Sequence, residues 1–495
     1  MDDHFIAVDL GASAGRVLLG QWNESHCSLH ELHRFPNRPV MVAGHLHWDI
    51  LSLWAEIKAG LTRYVAEFGQ PLTGIGIDTW GVDFGLLDAR GHLIGNPYHY
   101  RDSRVDGMLK RADSIVTARR IFFETGVQLM EQNTLYQLIS MVESGDPHLA
   151  IAETLLMMPD LFHYWLSGVK ACEQTDASTS QMLSHHGRSW ATEMLAELGL
   201  PVQILPTLVP PGTILGEMLP SVRREIGLHN AAPIIAPATH DTASAVAAVP
   251  DLDPHSAYIS SGTWSLVGVE LQKPIIHDRV FQLSFANEHG ADGTIRFLKN
   301  VTGLWLLQEV RRQWQRGGLE CDWEKLLAMA QDAPAFLCLL DPDDVAFRCP
   351  LSMPDAIREY CRNTNQPVPE TIGEITRCCL DSLALRYRQV IDTLEELTQR
   401  RLEVIRIIGG GSRNRLLCQL TADICQRPVV AGPAEATALG NLAVQAIAAG
   451  KTTDLASARR IIGASVHRDY YEASSEVDVE EPLERFGALR PKDAP

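Results

Sequence analysis

Two stretches about half a chain apart share one plan. "IAVDLGASAGRVLLG" at 6–20 and "AYISSGTWSLVGVE" at 257–270 each read as a strand, a turn of Gly, Ser, Ala or Thr, and a second strand. Small-residue turns between β-branched runs signal hairpins, and their lack of bulk lets something approach the main chain. The echo predicts two related domains, each beginning with a hairpin. The break is expected near "VAAVPDLDPHSA", where Pro250 and Pro254 interrupt the pattern. A chain of 495 residues also exceeds what one hydrophobic core usually organises.

Short strand-like runs alternate with longer helical patterns. "FIAVDLG", "LTGIGIDTWG", "APIIAP" and "VIRIIGGGS" join the two hairpins as the clearest strands. Ile375, Cys379, Leu383, Tyr387, Val390, Leu394 and Leu397 recur at three- and four-residue steps, which predicts one long helix with a single apolar stripe running into "VIRII". This alternation argues for α/β layers.

The 61 acidic and 43 basic side chains leave a formal net charge of -18. Without a basic patch to offset it, that charge disfavours nucleic acid and anionic membranes as partners. No apolar segment is long enough to span a bilayer, and "MDDHFIAVDLG" carries acids where a signal peptide carries positive charge. A cytoplasmic location is expected. The ten cysteines include no CxxC pair, and "HELH" at 30–33 has no second ligand cluster at zinc spacing. Cys361 and Cys378 can form a disulfide if their backbones come close; buried free thiols are the alternative in a reducing compartment.

Several stretches can carry chemistry. In "DLGASAGR", Gly11 and Gly15 remove bulk, and the amides of Ala12, Ser13, Ala14 and Gly15, the Ser13 hydroxyl and Arg16 can surround a phosphate, unless this is an ordinary tight hairpin. Ser260, Ser261, Gly262 and Thr263 repeat the design. Gly409, Gly410 and Gly411 stand between a strand and a helix, in neither a Walker loop nor a GxGxxG pattern; they can bed a flat group on the main chain or simply allow close packing. "IDTWGVDFGLLDARGHLIG" reads as a hairpin with "DARG" as its turn. Gly81 follows Trp80 either to admit a ligand or as a bulge glycine. Asp241, ahead of "TASAVAA", is a helix N-cap or a base.

Small-residue turns at the starts of α/β units, without a P-loop, resemble the actin-like ATPase fold. The likeness narrows to the FGGY carbohydrate kinases through "VDLGASAGR", "GIDTWGVDFGLLD", "YRDSR", "LLMMPDLFHYWLSG", "THDTASAV", "YISSGTWSLVG", "LKNVTGLWLLQ" and "GGGSRNRLLCQLTAD" with "GPAEATALGNLAVQA", which run in order from residue 7 to about 446. It implies two actin-like (ribonuclease H-like) α/β domains with a cleft between them. The first, 1–247, binds sugar and phosphate; the second, 248–495, binds nucleotide and ends in an acidic tail from about 470.

The implied activity is ATP-dependent phosphoryl transfer to the 1-hydroxyl of a ketose, with L-rhamnulose expected, L-fuculose or another ketose or polyol as the alternative, and a non-kinase actin-like nucleotide-binding protein as the more distant one. Asp241 is then the general base. Gly81, His240, Thr242 and Asn300 match sugar-binding positions. Ala12, Ser13, Ala14, Gly15, Arg16, Thr263, Gln308 and Gly410 match ATP-binding ones. Asp9, at the end of the first strand, faces Mg2+ in this reading, commonly through water. Asn300 and Gln308, eight residues apart, are expected near one helical face. Small-molecule partners and a monomer or small homo-oligomer complete the expectation.

Overall fold

Strand β1 (Asp3–Leu10) and β2 (Ala14–Trp22) form an antiparallel hairpin about the turn at Gly11–Ser13. This computed structural model describes residues 2–186, 189–319, 322–348 and 350–489. β2 continues antiparallel into β3 (Cys27–Pro36), while β1 pairs in parallel with β4 (Gly74–Thr79). Beyond β4 lie β5 (Thr213–Glu217) and β6 (Pro233–Ala236), giving the order β5-β6-β4-β1-β2-β3. All six residues of β4 are buried, as befits a central parallel strand covered on both faces.

The second hairpin joins β7 (Ser256–Ser261) to β8 (Trp264–Leu271). Its sheet adds β9 (Ala286–His289), β10 (Ile295–Thr302), β11 (Val404–Ile408), β12 (Val429–Ala431) and β13 (Asp469–Tyr471), in the order β9-β10-β8-β7-β11-β12-β13. From β2 through β1, β4 and β6 to β5, the successive pairings are antiparallel, parallel, parallel and antiparallel. From β8 through β7, β11 and β12 to β13 they are the same. The half-chain echo is therefore a repeated ribonuclease H-like α/β plan.

Contacts divide the chain into two units. The first takes the chain up to Asp251 together with Glu270–Phe297 and Ala436–Val466; the second takes Leu252–Val269, Leu298–Glu435 and the chain from His467 onward.

In the first unit, α1 (Ile50–Glu67) buries Ile57, Leu61 and Tyr64, and α2 (Met158–Ser167) buries Leu161, Phe162 and Leu166 in the same core as Ile6, Val8 and Ile77. The short α3 (Asp241–Ala247) follows β6. In the second, α4 (Trp305–Arg316) and α5 (Met353–Asn363) share a core with α6 (Ile372–Thr398). All seven stripe residues predicted for that long helix are buried, and a Thr371/Glu374 capping box starts it. α7 (Arg415–Cys425) follows the triple glycine, and α8 (Ala436–Ala448) returns to the first unit.

The hairpin expected about "DARG" is present: the Gly91 amide donates to the Asp88 carbonyl at 2.9 Å, Leu87 and Leu93 form an antiparallel bridge across the turn, and the Ile94 amide donates to the Leu86 carbonyl at 2.8 Å. The strand Phe84–Leu87 also pairs antiparallel with Thr154–Met157 on its other side. The acidic tail holds a helix, Glu480–Ala488, because Pro482 and Phe486 give it an apolar side to bury.

Candidate active site

His240, not Asp241, is the residue before α3; its φ of -74° and ψ of 124° are extended, and no side chain caps the helix. Asp241 is the first helical residue, so its carboxylate is not consumed as a cap. It accepts from the Thr242 hydroxyl at 3.1 Å.

The segment ahead of the helix is held from below by a buried carboxylate. Glu173, fully buried, accepts from the Thr239 amide at 2.9 Å and hydroxyl at 2.7 Å, from the Thr175 amide at 2.8 Å, and from the Thr175 hydroxyl. The His240 amide in turn donates to the Thr175 hydroxyl at 3.2 Å, and the Thr79 amide of β4 donates to the Thr239 carbonyl at 2.9 Å. A buried carboxylate with four donors offsets its desolvation and fixes the chain that supplies them.

Burial first, and the negative charge of Asp9 second, push the Asp241 carboxyl up to about 7, against the lowering by Thr242 and by Arg296. The side chain still keeps 30% exposure, so the group is removed from bulk water yet reachable. His240 is held neutral: its pKa falls well below the ordinary value through burial and the neighbouring Arg296. The Arg296 guanidinium, fully buried, donates to His240 Nδ1 at 2.9 Å, to the His289 carbonyl at 3.0 Å, and pairs with Glu288 at 3.0 Å. Arginine has no acceptor, so Nδ1 carries the lone pair and Nε2 the hydrogen. That Nε2 lies 3.4 Å from Asp241 Oδ1.

Asp9 and Asp78 are register partners on the parallel strands β1 and β4. Asp9 is bonded to Arg16. Asp78 is fully buried and accepts from Asn441 Nδ2 at 2.6 Å, while its Oδ1 has no hydrogen-bond partner. Burial and then Asp9 raise its pKa well above the usual carboxylate range. Three carboxyl groups with an orphaned buried oxygen are a hard, all-oxygen donor set of the kind Mg2+ takes. Among the described residues, they do not bring three oxygens within 4.8 Å of one another.

The first turn presents Ala12, half-buried, and Ser13, exposed. Gly15 has a packing reason of its own: an added Cβ would come within 2.3 Å of the Phe35 ring. Gly81 does too, since a Cβ there would meet Thr179 Oγ1 at 2.7 Å. That hydroxyl accepts from the Val82 amide at 2.9 Å, so the glycine lets the main chain close on Thr179.

In the second unit, the Thr263 hydroxyl donates to Gln308 Oε1 at 3.1 Å, and the amides of Gly303 and Leu304 donate to the Thr263 and Gly262 carbonyls at 3.1 and 2.9 Å. The hairpin turn and the start of α4 are thus one body. Asn300 lies on strand β10, so it and Gln308 of α4 do not share a helical face as expected; the helix begins only at Trp305. The three glycines differ. Gly409 has φ 78°, and a Cβ on Gly411 would strike Ser261 Oγ at 2.0 Å, whereas one on Gly410 would meet nothing within 4 Å. Only Gly410 faces open space.

Cys361 and Cys378 are buried free thiols. The sequence reading passed over Glu173, Asp78, Arg296 and Asn441. Asp78 stood inside a quoted strand, but its register opposite Asp9 depends on sheet pairing. Glu173 and Arg296 come from segments far from residue 241 and carry no local pattern.

Residues 4–248 match the N-terminal domain, and 257–449 the C-terminal domain, of the FGGY family of carbohydrate kinases. A rhamnulokinase of Bacteroides thetaiotaomicron is 45% identical over 94% of this chain and 95% of that protein. One of Enterococcus faecalis is 41% identical over 95% and 94%. Among solved structures, gluconate kinase from Lactobacillus acidophilus superposes with a TM-score of 0.79 at 16% identity, covering 99% of this chain and 97% of that one. Matched in both halves and over nearly its whole length, the chain belongs to the FGGY family of carbohydrate kinases.

Proposed function

We propose that the protein transfers the γ-phosphoryl group of ATP to the 1-hydroxyl of L-rhamnulose, in the breakdown of L-rhamnose, with Asp241 as general base. The observation that carries this reading is the Asp241 carboxyl itself. It opens α3 without capping it, lies beside His240 Nε2–H, and is pushed up to about 7, near the operating range of a proton acceptor. The sugar follows from full-length relatives named rhamnulokinase at 40 to 45% identity.

Asp241 takes the proton of the sugar hydroxyl as that oxygen bonds to the γ-phosphorus and the bond to the bridging oxygen of ADP breaks; the proton then leaves to solvent with product release. His240 and Thr242 flank the hydroxyl, with the Gly81 main chain and Asn300 as further sugar contacts. Ala12, Ser13, Ala14, Gly15 and Arg16 serve the phosphates, and Thr263, Gln308 and Gly410 the nucleotide. Bound with ATP, Mg2+ supplies charge neutralisation of the phosphates. Asp9 is the residue that would hold it, with Asp78 Oδ1 the second available oxygen. In this reading residues 1–247 carry sugar and phosphate binding and 248–495 nucleotide binding, in a cytoplasmic monomer or small homo-oligomer with neither nucleic acid nor membrane as partner. Among the described residues, no helix is long and apolar enough to cross a membrane.

The test is a panel of L-rhamnulose, L-fuculose and L-xylulose with ATP and magnesium. The highest kcat/KM is expected on L-rhamnulose. Equal or higher values on the other two reassign the sugar, and no sugar-dependent ADP release at all overturns the kinase assignment.

A further inference from the structure

Three thiols converge in the second unit. Cys361 lies on α5, Cys378 on α6, and Cys338 in the segment leading toward α5. Their Sγ atoms all lie within 4.8 Å of one another, and the side chains are 1%, 0% and 2% exposed for Cys338, Cys361 and Cys378. We propose that they form a binding site for one soft, thiophilic cation of the cuprous or cadmium type, held by three thiolates.

The spacing suits an ion. A disulfide needs sulfurs about 2.05 Å apart, and these three stand free. Three sulfurs around a central ion at about 2.3 Å lie about 4.0 Å from one another, so the cluster reaches trigonal coordination by a contraction of under about 1 Å. The donor set contains no carboxylate or imidazole, which excludes Mg2+ and Ca2+ as ligands of choice. Cys379, next in sequence to Cys378, is not one of the set. Among the described residues the set is three sulfurs, which suits cuprous or cadmium ions better than zinc, which takes four ligands in structural sites.

The frame is already built. The Leu339 amide donates to Gln366 Oε1 at 2.9 Å, the Leu340 amide to Ser382 Oγ at 3.0 Å, and the Asp341 amide to the Tyr360 hydroxyl at 3.3 Å. These bonds fix the Cys338 segment against α5, α6 and the turn between them. Leu306, Val310, Met353 and Ile357 wall the same core and exclude water. Binding releases thiol protons to solvent as three sulfur–metal bonds form.

Cadmium added to the full-length, reduced protein is the probe. Expected are one ion per chain, a sulfur-to-metal charge-transfer absorbance, release of protons, three sulfur neighbours by X-ray absorption, and a raised midpoint of thermal unfolding. Cys338→Ser is expected to weaken binding about 100-fold or more, while Cys418→Ser, a buried thiol outside the set, leaves it unchanged. The stoichiometry and sulfur count are read on the wild-type chain, so poor folding of the Cys338 variant does not shield the proposal. No bound cadmium, a sulfur count other than three, or affinity that survives Cys338→Ser overturns it.

Discussion

Arg296 donates to His240 Nδ1 at 2.9 Å and so decides which face of the imidazole carries hydrogen. Nε2, which then carries the hydrogen, lies 3.4 Å from Asp241 Oδ1. Arg296 also lowers the pKa of Asp241 through its charge. Arg296→Gln keeps a donor and removes that charge. The acid limb of the kcat/KM pH profile is then expected to move upward, toward higher pH. A limb that stays in place, in a variant that folds, would separate Arg296 from the proton-accepting group.

Asp241→Asn is expected to lower kcat by about 10²- to 10⁴-fold with ATP affinity nearly intact, the usual worth of a positioned base. The same change should stabilise the fold. A carboxyl raised from 3.8 to about 7 contributes stability below its unfolded value and loses it as pH rises through the folded one. Three units correspond to roughly 4 kcal/mol at full burial; with a side chain 30% exposed, about 2 kcal/mol is the better expectation. The Tm difference between variant and wild type should widen from pH 4 to pH 7 and then level off. Unchanged turnover would remove Asp241 from the chemistry.

Glu173→Gln replaces an acceptor of four donors with an amide that turns an N–H toward them. Glu173 touches no substrate in the proposed mechanism; it aims the segment before Asp241. A fall in kcat of about 10- to 100-fold is expected, with sugar KM little changed and stability lower by about 1–3 kcal/mol. A loss of stability with kcat intact would make the residue structural only.

The triple glycine gives a paired test. Gly410→Val adds a side chain where nothing lies within 4 Å, so the fold should stand while the ATP dissociation constant rises about tenfold or more. Gly411→Ala puts a methyl 2.0 Å from Ser261 Oγ and should cost stability first, by about 1–3 kcal/mol. Normal ATP affinity in Gly410→Val would take that glycine out of the nucleotide site.

Much of the framework was legible because it is written locally. The hairpin echo, the strand runs and the stripe from Ile375 to Leu397 depend on neighbours within a few residues, and the repeated pairing pattern follows from them. Asp241 could be singled out, but its position as first helical residue rather than cap could not, since His240 and Asp241 are both acceptable at a helix start. Gly15 and Gly81 drew notice as openings for ligand, yet each also has a packing reason, Phe35 and Thr179, that only tertiary structure supplies. Glu173, Arg296 and Asn441 act over separations of 66, 56 and 363 residues, beyond any periodicity.

Helix α8 crosses α3 so closely that a Cβ on Gly440 would lie 1.7 Å from the Ser244 carbonyl oxygen, while Asn441 and Gln445 donate to Asp78 and to the Ile6 carbonyl. A ribosome therefore delivers the strands of the first unit long before the helix that closes over them. Until residue 448 has emerged, Gly20 and Gly76 present a notched sheet face to water or to a chaperone, and the helix bearing Asp241 has no lid. A fragment ending at residue 247 would carry Asp9, Arg16, His240 and Asp241 and still lack both Arg296 and the helix that completes the core.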